Sequence, residues 1–153
     1  MSKIVGRIMD SVHPSGMSSI RNARLLGILF LVYAILMPLI ILLIPESELP
    51  AGADLPEAIS WLMIILMPIE ILLIYLSYHH FRKRAELGNI MGPAVLMYTF
   101  ATIPSIYAFV IGFIGSELRS IAILLGLVFS LVGFWLTSMY LSKLWENTTS
   151  DNH

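Results

Sequence analysis

Cysteine is absent from this chain of 153 residues. Its absence excludes disulfide bonds, thiolate metal sites and cysteine nucleophiles. Charge is scarce as well: Asp, Glu, Lys and Arg make up 12% of the residues, against about 25% in soluble domains. There is no basic stretch with interleaved aromatic residues and no glycine-rich phosphate loop. The sequence therefore predicts neither nucleic-acid binding nor a recognisable enzyme.

Apolar residues are abundant, at 58% of the chain. The mean hydropathy of the chain is +0.85. They form runs long enough to cross a bilayer, since about 20 residues at 1.5 Å each match a hydrocarbon core of about 30 Å. The sequence predicts an all-α integral membrane protein. Its transmembrane helices are expected in four runs: Leu25–Ile44, Ile59–Tyr78, Gly92–Ile114 and Leu118–Leu141.

The connections between these runs predict an antiparallel bundle. The first, Pro45 to Glu57, is a loop rich in proline and acidic residues. The third, Gly115 to Glu117, is short enough for a tight hairpin. We divide the chain into an N-terminal segment (1–24), a transmembrane domain (25–142) and a tail (143–153). The N-terminal segment is interpreted either as an amphipathic stretch on the membrane surface or as a frayed terminus.

Lysine and arginine are distributed unevenly between the two ends of the predicted bundle. Arg119 is the only basic residue at the end that holds the acidic loop. The other end holds Lys3, Arg7, Arg21, Arg24, Arg82, Lys83, Arg84 and Lys143. Cytoplasmic segments carry the excess of Lys and Arg, so both termini are expected in the cytoplasm and the protein in the cell membrane.

Glu70 is the only charged residue within Ile59–Tyr78. A carboxylate near the middle of a bilayer costs about 2.5 kcal/mol or more, so it needs a partner, a wet cavity or a proton. Pro68 removes a backbone donor close by and frees the carbonyl of Ile64. We consider two interpretations: an ion- or proton-binding site, or a protonated carboxyl that bonds a neighbouring helix for structural reasons.

Hydroxyl groups in the third run are the expected partners of Glu70. Tyr98, Thr102 and Ser105 share one helical face, and the last two are predicted near its depth. Because no lysine or arginine lies within any run, the sequence predicts that Glu70 carries a proton at rest. Helix kinks are expected at the prolines inside the runs, which are Pro38, Pro68 and Pro104.

The fourth run carries a stripe of small residues, which are Gly126, Ser130, Gly133 and Thr137. Stripes of this kind let membrane helices approach closely, either inside one bundle or between subunits. By contrast, His79 and His80 lie at one end of a helix, and the remaining histidines lie near the termini. No metal site or cofactor is predicted.

Residues Ile103–Gly112, IPSIYAFVIG, resemble the helix after the cytoplasmic loop in the double-hairpin proteolipids of rotary ATPases. Those proteins also have four helices and an intramembrane glutamate. Proteolipid helices, however, are rich in glycine and alanine, whereas these are rich in leucine, isoleucine and methionine. Here the carboxylate is in the second helix and the fourth has none, so membership of such a ring is not predicted.

Together these features favour a non-catalytic accessory or self-associating subunit of a membrane assembly. Its expected partners are the lipid bilayer and either further copies of itself or other membrane subunits. The alternative is a carrier or channel subunit that moves protons or cations through Glu70.

The predicted orientation can be tested with single cysteines, because the natural chain has none. On intact cells an impermeant maleimide should label Ser47→Cys, whereas Ser150→Cys should react only after permeabilisation. Labelling of Ser150→Cys but not Ser47→Cys on intact cells would reverse the orientation.

Overall fold

A computed structural model describes residues 16–45, 57–82, 90–114 and 117–150. These residues form four helices: α1 (Gly16–Leu43), α2 (Glu57–Arg82), α3 (Met91–Phe113) and α4 (Arg119–Ser150). Each helix contains a segment long and apolar enough to cross a membrane. The prediction of an all-α protein with four candidate spans is therefore confirmed. Most of the N-terminal segment, including its proposed amphipathic stretch, lies outside the described residues.

The helices extend beyond the apolar runs at one end of the bundle. Helix α1 begins at Gly16, ahead of Leu25, and α4 continues past Leu141 to Ser150. Backbone hydrogen bonding can continue after the apolar composition has ended, and the side chains of Arg24 and Lys143 in these extensions are exposed. The prolines predicted as kinks, Pro38, Pro68 and Pro104, all lie within uninterrupted helices.

Helices α3 and α4 form the most extensive contact in the bundle. They are antiparallel, because Ala101 packs near Gly133 while Pro104, further along α3, packs near Gly126. Helix α1 packs against α3 in the same direction: Gly27 lies against Tyr98 near one end, and Gly112 against Ile41 near the other.

The first two helices flank this central pair. Both α1 and α2 contact α3 and α4, but the described residues give no comparable contact between α1 and α2. The consecutive helices α1 and α2 are therefore separated by the α3–α4 pair. This differs from a simple up-and-down bundle, in which each helix packs against its neighbours in sequence.

The small residues of α4 face α3, and all four are buried. A Cβ atom at Gly126 would lie 2.8 Å from the Pro104 carbonyl oxygen, and one at Gly133 would lie 3.1 Å from Ala101 Cα. The Ser130 and Ser105 hydroxyls share a hydrogen bond of 2.7 Å. In this structure the stripe is therefore occupied by a helix of the same chain.

Arg119 ties the end of α1 to the start of α4. Its guanidinium donates hydrogen bonds to the backbone carbonyls of Ile41 and Ile44. The last carbonyls of a helix lack intrahelical donors and carry partial negative charge, so a cation placed there satisfies them. The single basic residue at this end of the bundle therefore has a structural partner.

The packing of α4 predicts different outcomes for alanine at two glycines. Gly126→Ala should destabilise the protein by about 1–3 kcal/mol, because the new methyl group must displace the backbone of α3. Gly92→Ala is the matched control: a Cβ there meets nothing within 4 Å, and alanine favours the helix by up to about 1 kcal/mol. Unfolding in detergent measures both. Equal stability of the two variants would contradict the close packing.

Candidate functional site

Glu70 lies on the buried face of α2, with only 6% of its surface exposed. Met67 and Ile74, on the turns before and after it, are fully buried. Aromatic residues that mark membrane interfaces lie on both sides along the helix, Trp61 towards one end and Tyr78 towards the other. At 1.5 Å per residue, Glu70 is about 12–14 Å from each. The carboxyl group is therefore close to the midplane of the span.

The hydrogen-bond partner of Glu70 is Tyr107 of α3. The Tyr107 hydroxyl donates to Glu70 Oε1 over 3.3 Å. Oε2 is buried and has no hydrogen-bond partner among the described residues. An unsatisfied buried oxygen is costly in an apolar environment. A proton on Oε2, or a hydrogen bond to it from another donor, would therefore stabilise the site.

The three hydroxyl residues predicted to hold Glu70 bond elsewhere. Thr102 Oγ1 donates to the carbonyl of Tyr98 in its own helix over 2.8 Å, and Ser105 pairs with Ser130. The Tyr98 ring is stacked on Phe134 with ring centroids 5.6 Å apart. All three residues are buried in α3 contacts, but the described structure gives none of them a hydrogen bond to Glu70.

Side-chain direction explains why Tyr107, rather than a residue at equal backbone depth, bonds Glu70. Helical side chains lean towards the N-terminus of their own helix. Since α2 and α3 are antiparallel, Glu70 and Tyr107 lean towards each other along the membrane normal. The best partner of Glu70 is therefore about one turn beyond the residue at equal backbone depth. The sequence signal for this partner was a long tyrosine side chain, Tyr107, about one turn beyond the residue at the depth of Glu70.

Pro68 does not share the site with Glu70. Two residues correspond to about 200° around a helix, and Pro68 is exposed on the outer face whereas Glu70 is buried. The carboxyl group and the proline therefore face different surroundings.

The arrangement suits a proton better than a metal ion. Ca²⁺ requires six to eight oxygen ligands and Mg²⁺ about six, and here one carboxyl and one phenol converge. Among the described residues no cluster of three or more His, Asp or Glu side chains could hold a metal. A proton needs only one basic oxygen, which Glu70 Oε2 provides.

A second feature, not singled out from the sequence, is Trp135 on α4. It is 66% exposed, and its indole N–H has no acceptor among the described residues. Trp61, near one end of α2, differs in that its N–H donates to Glu57 Oε1 over 3.1 Å. Exposed tryptophan at a membrane interface is common, but an unsatisfied N–H facing hydrocarbon is costly.

Comparison with protein-family models, with curated proteins and with solved structures finds no match to this chain.

Proposed function

We propose that the protein is a non-catalytic multi-pass subunit of the cell membrane, with both termini in the cytoplasm, that associates with a second copy of itself through α4. The observation that carries this proposal is the exposed Trp135 with its unsatisfied indole N–H. An apolar surface alone would not support it, because lipid covers apolar helix faces equally well.

Trp135 lies inside the span rather than at its edge. Gly133 packs beside Ile74 of α2, one turn from Glu70, so Trp135 is about 8–9 Å from the level of Glu70. Half the hydrocarbon core is about 15 Å. The indole N–H is thus in a region where lipid tails offer no acceptor, and a protein acceptor would stabilise it.

The residues around Trp135 form a continuous exposed stripe, which we call the α4 seam. Its members are spaced alternately by three and four residues, the repeat of helices that pack in left-handed pairs. All are exposed: Ile121, Leu124, Val128, Leu131, Trp135 and Ser138.

The α4 seam is complementary to itself. It holds one donor without an acceptor, the Trp135 N–H, and one turn away the Ser138 hydroxyl, which has no hydrogen bond within the described chain. Two copies in the same membrane orientation bring equivalent seams together around a twofold axis. Trp135 of each copy can then donate to Ser138 of the other.

Cross-linking in membranes tests this association. Leu131→Cys, in the centre of the seam, should form disulfide-linked dimers under mild oxidation. Adding Trp135→Phe should lower the dimer association constant about tenfold, because two interhelical bonds worth about 0.6 kcal/mol each are lost. Ser138→Ala should have a similar effect.

Two controls separate specific association from collision. Leu72→Cys lies on the exposed face of α2 and should cross-link poorly. Trp61→Phe removes an indole whose N–H is already satisfied and should leave the Leu131→Cys yield unchanged. Equal cross-linking through Leu72 and Leu131, or no effect of Trp135→Phe, would contradict dimerisation through the seam.

A second candidate function is proton translocation through Glu70, and the unpaired Oε2 favours it. A neutral carboxyl that loses its proton at Oε2 would retain the Tyr107 hydrogen bond to Oε1. The pair could therefore accept and release a proton without losing its link between α2 and α3. A purely structural carboxyl would use the same bond only to hold the two helices together.

Glu70→Gln distinguishes these two roles, because it keeps the shape and a hydrogen-bond acceptor but cannot titrate. If Glu70 translocates protons, the Glu70→Gln variant should fold normally but lose proton flux in liposomes. If Glu70 is structural, the variant should fold normally and keep the activity of the natural protein. Tyr107→Phe should destabilise the fold by about 1–3 kcal/mol under either role, since it leaves Oε1 unsatisfied. Tyr33→Phe, at a half-exposed tyrosine, is the control. Proton flux that persists in Glu70→Gln would exclude translocation through this residue.

A further inference from the structure

Tyr78 of α2 and Tyr140 of α4 are stacked on each other. Their ring centroids are 4.3 Å apart and their planes differ by 12°, just closer than the separation of about 4.5–7 Å that is usual for aromatic pairs. Among the residues that the structure describes, no other two tyrosines have nearly parallel rings in contact. Ring carbons of Tyr78 and Tyr140 are therefore within contact distance across the boundary between α2 and α4.

Packing holds both rings at this boundary. Tyr78 and Tyr140 lie against the buried apolar cluster that includes Ile74. Each ring is nevertheless partly exposed, so a small oxidant can reach it and the two rings can slide against each other. Two reactive groups held in contact react intramolecularly instead of depending on a bimolecular encounter.

The tyrosine pair lies near the end of the bundle that carries most of the basic residues. Tyr78 is four residues before Arg82 and Tyr140 three before Lys143, about 4–6 Å along each helix. Both basic side chains are exposed. Tyrosine is enriched where hydrocarbon meets the headgroups, and peroxyl radicals on oxidised lipid chains move towards this interface because they are more polar than the chains. In the proposed membrane the two phenols are therefore placed where such radicals arrive.

We propose that Tyr78 and Tyr140 form an oxidative cross-linking site, at which lipid peroxyl radicals join α2 to α4 through a dityrosine bond. The proposal rests on the membrane location proposed above, but not on self-association or on proton transfer through Glu70. The chain contains no cysteine. No thiol of its own can therefore return a hydrogen atom to a tyrosine that has been oxidised.

The reaction consumes two peroxyl radicals for each bond. Each radical takes the hydroxyl hydrogen atom of one tyrosine and becomes a lipid hydroperoxide, which leaves a phenoxyl radical on each ring. The two phenoxyl radicals combine through the carbons ortho to their oxygens and form one C–C bond. The hydrogen atoms on those carbons then move to the oxygens and restore both phenols. In total the protein loses two hydrogen atoms, and both peroxyl radicals are reduced.

Peroxidation of liposomes that contain the full chain tests this site. A lipid-soluble azo initiator in polyunsaturated phospholipid should produce dityrosine fluorescence and a monomer mass lower by two hydrogen atoms. Proteolysis should then release a linked pair of peptides that contain Tyr78 and Tyr140. Saturated phospholipid, which does not propagate peroxidation, should give a much smaller yield. The cross-linked monomer should melt at a higher temperature in detergent, because the bond restricts the unfolded chain.

Phenylalanine variants identify the residues, because they keep the rings and remove only the reactive hydroxyl groups. Tyr78→Phe and Tyr140→Phe should each reduce the fluorescence and the linked peptides to background. Tyr75→Phe is the matched control: the Tyr75 ring is 6.5 Å from that of Tyr140 and tilted by 58°, so its loss should leave the yield unchanged. Three outcomes would overturn the proposal: dityrosine that is absent or forms only between subunits, equal yields in Tyr75→Phe and Tyr140→Phe, or equal yields in saturated and polyunsaturated phospholipid.

Discussion

The close approach of α3 and α4 is the contact on which the rest of the bundle depends. Gly126 and Gly133 let the backbone of α4 come within van der Waals distance of Pro104 and Ala101. In a membrane the hydrophobic effect gives helices little reason to associate, so close packing and interhelical hydrogen bonds supply the stabilisation. The Ser105–Ser130 bond lies within this contact. Helices α1 and α2 then pack on the two sides of a pair that is already well defined.

This central pair also determines where the functional features lie. Helix α3 is the most buried of the four: α2 covers the side with Tyr107, and α1 covers the side with Tyr98. Glu70 is consequently buried although it is in the middle of a candidate membrane span. Helix α4 keeps one face uncovered, and Trp135 is on that face. The buried carboxyl and the exposed indole are therefore separate features on different helices.

Much of the fold could be predicted from the sequence, because long apolar runs separated by charged or proline-rich segments leave few alternatives to membrane-spanning helices. The stripe from Gly126 to Thr137 was also visible as a packing surface. Which helices pack together could not be predicted, since every outer face has a similar apolar composition. The partner of Glu70 depended on the direction in which two side chains lean. The hydropathy of Trp135 carries no information about whether its N–H has an acceptor.

The separation of α1 from α2 has a consequence for how the chain is assembled. A ribosome delivers these two helices first, yet they find no extensive contact with each other. The helices against which they pack, α3 and α4, are in the second half of the sequence. So is Arg119, which bonds the last carbonyls of α1. Helices α1 and α2 therefore lack their final neighbours until α3 and α4 have been synthesised. Completion of the bundle thus depends on the two helices that are made last of the four.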